Sequence, residues 1–239
     1  MADVTILLED TAISGVGRVA LIHADRLVAD GHRVRIVTTG EPVTWRASRA
    51  EWVYADHLPS DGIPAATLPL VVEEELFRDR TPREHEPLRV LLCGASQDET
   101  LALADGYGAV AHARWFHQTL DVVRVSPWAP SREEPLESVQ EFHVALTAAE
   151  MTRLMHSCDV LVAPGPRFAL TTAEALAAGL ACVIAAPPFD YPAAAPVDNP
   201  VELGERLIEV LSDAALRSKV RMHGREVAER WRGVRLELG

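Results

Sequence analysis

The chain has 239 residues, 48% of them hydrophobic, which is enough for a packed core in one large domain or two small ones. Its 23 basic and 35 acidic residues leave a formal charge of -12, which argues against nucleic acid or an anionic membrane as a partner. The first residues lack the basic and apolar regions of a signal peptide, and no apolar stretch approaches the roughly 18 residues of a spanning helix. We therefore expect a cytoplasmic protein that does not insert into membranes.

The first part of the chain predicts a βαβ unit. Its elements are, in order, a buried strand at 4–8, a helix at 18–29, a second strand at 33–38 and a short strand at 51–55. Ser14-Gly-Val-Gly17 lies between the first strand and the helix, and Asp30-Gly31 ends that helix. The glycines fit a tight turn, and a backbone contact with phosphate is the alternative. We predict a shortened Rossmann-like lobe over residues 1–60.

Residues 61–87 form a predicted linker between two lobes. Prolines recur through this stretch, and a run of charged residues extends from Glu73 to Arg80. Neither feature suits a central strand or a buried helix. We predict that the charge run is a solvated turn of helix.

From residue 88 to residue 239, strands alternate with helices. The predicted strands cover 88–93, 120–125, 140–146, 159–163 and 181–185, with helices at 100–117, 147–156, 201–211 and 214–230 and one more that ends at Gly179. This alternation indicates a parallel, doubly wound sheet. We predict an α/β fold with two Rossmann-like lobes and parallel sheets, the second lobe covering residues 88–239.

The stretch from Cys158 to Ala186 predicts an anion-binding loop. A strand that ends at Ala163 leads through a Pro-Gly-Pro turn to a helix that Thr171 or Thr172 can cap. A loop of this kind points free backbone N–H groups at the carboxyl edge of a parallel sheet, where anions and nucleotides bind.

Several short motifs occur in one order around this loop. They are Thr147-Ala-Ala-Glu150, Ser157-Cys-Asp159, Phe168-x-Leu170, Glu174-Ala-Leu and Gly179. This order resembles the carboxyl-terminal, nucleotide-sugar-binding domain of retaining GT-B glycosyltransferases of family 4. Ser14-Gly-Val-Gly-Arg18 and Asp30-Gly31-His32 resemble the start of that family's amino-terminal domain, and residues 68–78 resemble its segment before the second domain. The resemblance is close over residues 140–230 and thinner elsewhere.

The resemblance implies a GT-B fold that binds a nucleotide or nucleotide sugar and transfers the sugar to an acceptor hydroxyl with retention. It implies no metal ion, and no cofactor besides this co-substrate. The donor nucleotide and its phosphates would contact Arg167, Phe168, Ala169, Leu170, Thr171, Thr172, Glu174 and His143, with Glu174 on the ribose hydroxyls. The acceptor side of the cleft would be formed by Glu9, Asp10, Gly15, Gly17 and Arg18.

Some of these residues have plainer interpretations. Arg167 also suits a solvated loop, and His143 suits a core or edge position in its strand. Acidic residues such as Glu9 are common at strand ends. His112 and His117 are five residues apart, whereas a spacing of four would place two metal ligands on one helix face, so we predict no metal site there.

The chain departs from the family pattern and is a shortened, motif-degenerate relative. Pro166 stands where the family has the first glutamate of a Glu-x7-Glu motif, and Gly94-Ala-Ser-Gln-Asp-Glu99 stands where it has an arginine and a lysine that clamp the donor diphosphate. Most of the acceptor-binding domain is missing, and no catalytic residue is assigned. The alternative is a non-catalytic protein that serves as a subunit or partner of another enzyme, as a homodimer or heterodimer that buries the uncovered surface.

Overall fold

The computed structural model describes two parallel β-sheets flanked by helices. The described residues are 1–9, 11, 13, 15–58, 68–73, 75–78, 84–94, 100–165, 169–196 and 198–236, with the backbone alone for 100–102. No helix in these ranges is long and apolar enough to cross a membrane.

The first sheet has three strands in the order β1-β2-β3, all parallel. The strands are β1 (Asp3–Leu8), β2 (Arg33–Thr38) and β3 (Glu51–Tyr54), and helix α1 (Gly15–Ala29) connects β1 to β2. Buried and more exposed residues alternate along β2, with Val34, Ile36 and Thr38 buried. This alternation, with α1 packed on β1 and β2, gives the lobe a small core of its own.

The second sheet has six strands, all parallel, in the order β6-β5-β4-β7-β8-β9. The strands are β4 (Arg89–Cys93), β5 (Asp121–Ser126), β6 (Glu141–Val144), β7 (Val160–Ala163), β8 (Ala181–Ala185) and β9 (Ala194–Ala195). The helices are α2 (Thr100–Arg114), α3 (Ala148–His156), α4 (Leu170–Ala177), α5 (Pro200–Ser212) and α6 (Ala214–Ala228), and a 3-10 turn covers Leu136–Ser138. The predicted α/β fold with two parallel-sheet lobes, the first of them small, is confirmed.

Burial on both faces of the second sheet explains its sequence pattern. Every residue of β8 is buried, and so are all residues of β5 after Asp121. Strands that helices cover on both sides contain continuous apolar runs, whereas half-exposed strands alternate. The two-residue strand β9 is not among the predicted strands, because two residues are too short for any periodic signal.

The starts of helices α3 and α4 test what the sequence indicates about capping residues. Thr147 and Glu150 form a capping box at the start of α3, in which each side chain accepts a hydrogen bond from the other residue's backbone N–H. Helix α4 begins earlier than predicted, because Ala169 is its N-cap residue and Thr171 and Thr172 lie within its first turn. No side chain caps α4, which leaves its first N–H groups available.

Part of the predicted linker packs into the core. Val71, Val72 and Phe77 are fully buried, and Glu73 is paired with Arg46 of the first lobe. The prediction of a solvated charge run was therefore wrong at Glu73, because a partner distant in sequence neutralises it. The boundaries at residues 60 and 88 stay predictions, since 59–67 and 79–83 lie outside the described residues.

The C-terminal tail returns to the first lobe. The carbonyl of Trp231 accepts a hydrogen bond of 3.2 Å from the N–H of Val72. Further along, Arg26 of α1 donates to the carbonyl of Val234, and Arg235 pairs with Asp30 at 3.2 Å. The tail thus runs alongside the segment by which the chain leaves the first lobe.

Gly31 offers a test of the local structure. It follows α1 with a φ of +87°, and an added Cβ would meet nothing within 4 Å. We expect Gly31→Ala to lower the free energy of unfolding by about 1 kcal/mol, because the left-handed conformation strains alanine, whereas Gly31→Asn should lose less. Denaturant unfolding of both variants measures this, and an alanine variant as stable as the parent would contradict it.

Candidate functional site

A cleft of about 230 Å³ lies between the two sheets, at the carboxyl edge of the second one. Its walls include Gly94 after β4, Ser126 at the end of β5, and Ala163 to Gly165 at the end of β7. Strands β4 and β7 are neighbours, and the chain continues from them in opposite directions across the sheet. Such a switch point is where open parallel sheets bind ligands. The described ends of the predicted anion-binding loop, Gly165 and Ala169, line the cleft there.

The starts of two helices meet at this cleft. Gly15, the first residue of α1, and Ala169 to Thr172 at the start of α4 line it from opposite sheets. The two helices approach closely, because a Cβ added to Gly15 would lie 3.4 Å from the Cβ of Leu170. Neither helix has an acidic residue in its first turn. The positive ends of both helix dipoles therefore face the cleft uncompensated at those turns.

Arg18 is the charged residue of the cleft wall. Among the lining residues that the structure describes, it alone carries a charged side chain. Its side chain extends from the first turn of α1, and only 4% of the residue is exposed. Its guanidinium lies 5.7 Å from the ring centroid of Phe77. Arg18 thus supplies the charged side chain of the described cleft wall.

Glu174 is the partner of Arg18 and is fully buried in α4. Nη1 of Arg18 donates to Oε2 at 3.0 Å, and Nη2 donates to Oε1. Burial raises the pKa of Glu174 to about 7, and the neighbouring Arg18 counteracts this rise. Nε of Arg18 is buried and has no hydrogen-bond partner among the described residues. This pair joins α1 of the first lobe to α4 of the second.

Cys93 also borders the cleft, and its environment makes it a poor nucleophile. Burial raises the pKa of its thiol well above the ordinary value. The thiol therefore stays protonated. Arg18 is the stronger candidate for a binding group in this cleft.

The structure places some of the predicted site residues together and others apart. Ala169, Leu170, Thr171 and Thr172 line the cleft on the donor side, with Gly15 and Arg18 opposite them. The predicted residues away from the cleft lining are Gly17, buried within α1; Glu174, fully buried in α4 and bonded to Arg18; Glu9, exposed after β1; and His143, on edge strand β6 with its Nε2 3.3 Å from Glu141. Arg167, Phe168 and Asp10 lie outside the described residues, as does Pro166.

Sequence reasoning missed the cleft residues that follow β5 and β6. Ser126 ends β5 and Pro127 follows it, and Ala145 and Leu146 come after β6. These residues share a position at the carboxyl ends of parallel strands. That position was used to predict a binding loop only at β7. Ala145 has a φ of 51°, an uncommon conformation for a residue other than glycine that often marks functional sites.

Comparisons with known proteins identify the fold. No protein-family profile matches the sequence, and no curated protein matches it. Among solved structures, a glycosyltransferase from Rickettsia africae is 10% identical over 96% of this chain and 93% of that chain, with a TM-score of 0.70. WaaG, a glycosyltransferase involved in lipopolysaccharide biosynthesis, is 14% identical over 96% of this chain and 95% of that chain, with a TM-score of 0.68.

A third match was solved with a ligand. The pneumococcal O-GlcNAc transferase GtfA, in complex with UDP and GlcNAc, is 13% identical over 85% of this chain and 43% of that chain, with a TM-score of 0.52. Identities this low establish the fold alone. The chain has the GT-B fold and matches group 1 glycosyltransferases of the family 4 kind over most of its length, as its motifs predicted.

The raised pKa of Glu174 predicts a pH-dependent stability. Its folded-state pKa of about 7 exceeds the ordinary 4.5, so the folded state binds this proton more tightly than the unfolded chain does. The resulting stability is fully present below pH 4.5 and is lost as the pH rises through about 7, a change of about 3 kcal/mol. Denaturant unfolding from pH 4 to pH 8 should show this loss in the parent protein and not in Glu174→Gln. Parallel pH curves for the two proteins would contradict the assignment.

Proposed function

We propose that the chain binds a nucleotide sugar in the cleft and transfers its sugar to an acceptor hydroxyl with retention of configuration. One observation carries this proposal: the cleft at the switch point brings one arginine and two helix starts together, with no acidic side chain among its described lining residues. An anion with several oxygens, such as a diphosphate, suits this arrangement.

The proposed reaction is a group transfer. The bond from the anomeric carbon to the diphosphate oxygen breaks, and its electron pair leaves with the nucleoside diphosphate. The acceptor oxygen bonds to the anomeric carbon on the same face, and the acceptor proton passes to the departing diphosphate. Backbone N–H groups of α4 and Arg18 would stabilise the leaving charge, so we propose that no metal ion is needed.

The donor nucleotide comes from a small set of candidates. The structure of the similar protein GtfA contains UDP and GlcNAc, which makes UDP the first nucleotide to test, beside GDP and ADP. The acceptor hydroxyl would enter from the side of Gly15 and Arg18. A cytoplasmic location remains a prediction from the sequence.

A charge placed at the start of α4 tests the donor site. Calorimetric titration with UDP, GDP and ADP should give saturable binding of one nucleotide. Thr171→Glu should weaken that binding at least about tenfold, because its carboxylate repels phosphate yet suits the dipole of α4 and should not harm the fold.

Thr171→Gln is the matched control. It has nearly the same shape without the charge and should bind the nucleotide within about threefold of the parent protein. Equal loss in both variants would point to a steric effect, and no binding of any nucleotide by the parent at millimolar concentration would overturn the proposal.

A second candidate is the non-catalytic relative. The observation that favours it is the buried Arg18–Glu174 pair, since the carboxylate that the resemblance assigns to ribose already has a partner. In this case the protein would bind another copy or another enzyme, in keeping with its small first lobe. Nucleotide binding without release of sugar from any UDP, GDP or ADP sugar, together with a dimer in light scattering, would support it.

A further inference from the structure

The Arg18–Glu174 pair lies where the proposed donor site requires a phosphate-binding group. We propose that Arg18 binds the phosphates of the donor and that Glu174 holds its guanidinium only until those phosphates arrive. This inference rests on the proposed function and extends it: Arg18 belongs to the donor and not to the acceptor, and the pair exchanges partners when the donor binds.

Charge in the cleft wall supports the exchange. Arg18 contributes a full positive charge, and the starts of α1 and α4 contribute about half a charge each. Opposing them, Glu174 supplies one carboxylate, buried behind the wall. A diphosphate carries more charge than a carboxylate and matches the planar donors of a guanidinium. Arg18 therefore gains a stronger partner when a diphosphate enters.

The hydrogen bonds of Arg18 leave room for a second anion. Both terminal nitrogens donate to Glu174, while Nε is buried without a partner. A buried donor that lacks an acceptor is costly, because no water replaces it. An oxygen of an entering phosphate can fill this donor first, so the guanidinium never has to be without a partner during the exchange.

Glu174 can lose its ion pair with Arg18 and stay buried. Burial and, to a smaller extent, the charge of Glu73 raise its pKa while Arg18 holds it down, and together they place it at about 7. Cys93 is a further titratable group within its field. When Arg18 turns to a phosphate, the carboxyl can take up a proton and stay buried as a neutral group.

Inorganic pyrophosphate is the direct probe, because it isolates the phosphate contact from base and sugar. Calorimetric titration at pH 8, above the pKa of Glu174, compares the parent protein with Glu174→Gln and with the double variant Arg18→Met/Glu174→Gln. Glu174→Gln should bind pyrophosphate about fivefold more tightly, because the competing carboxylate is gone. The double variant should bind it about thirtyfold more weakly, which is the loss of a charge-assisted contact.

The double variant also controls for a loss of binding that is caused by misfolding. It removes both charges together, so neither is left buried and unpaired, and thermal unfolding verifies that it folds. Titrations with UDP and uridine complete the comparison. UDP affinity should fall in the double variant as pyrophosphate affinity does, whereas uridine affinity should stay within about threefold of that of the parent protein.

The outcomes separate this inference from the proposed function. If the parent binds a nucleotide and all variants bind pyrophosphate and UDP equally, the pair has only a structural role. The partner exchange is then wrong, while the proposed function stands. If pyrophosphate binding depends on Arg18 but no nucleotide binds, the proposed function fails and the phosphate contact stands. If Glu174→Gln weakens pyrophosphate binding while still folded, the exchange is wrong.

Discussion

The hydrogen-bonded pair of Arg18 and Glu174 fixes how the two sheets face each other. It joins residues 156 positions apart and holds the first turn of α1 against α4. A buried ion pair adds little net stability compared with well-packed apolar side chains, yet removing one partner typically costs about 3–5 kcal/mol. Such a pair is therefore better suited to specifying one arrangement than to strengthening it. The contact holds together two elements that line the cleft, the first turn of α1 and helix α4.

Features that depend on residues close together in the chain could be predicted from the sequence. Continuous apolar runs identified the strands of the second sheet, because helices cover both of its faces. Thr147 and Glu150 identified the start of α3, since the capping box is formed within four residues. The start of α4 was misjudged at Thr171 and Thr172. Threonine is a common cap, but here the turn had already begun at Leu170.

Contacts between residues far apart in the chain could not be predicted from the sequence. Glu73 was expected in solvent and is paired with Arg46, and Arg18 was expected near an acceptor and is bonded to Glu174. Neither partner is close in the chain, so no spacing rule reports these contacts. The position of the cleft was predictable from one strand end, at β7, because all the strands of this sheet point the same way. The charge that lines that cleft could not be predicted in this way, because Arg18 comes from α1 of the first lobe.

The two passages of the chain between the lobes lie side by side. The outgoing segment at 68–78 and the returning tail touch at the hydrogen bond from Val72 to the carbonyl of Trp231. Because the two connections are hydrogen-bonded to each other there, a change at Val72 or Trp231 would bear on both crossings between the lobes at once.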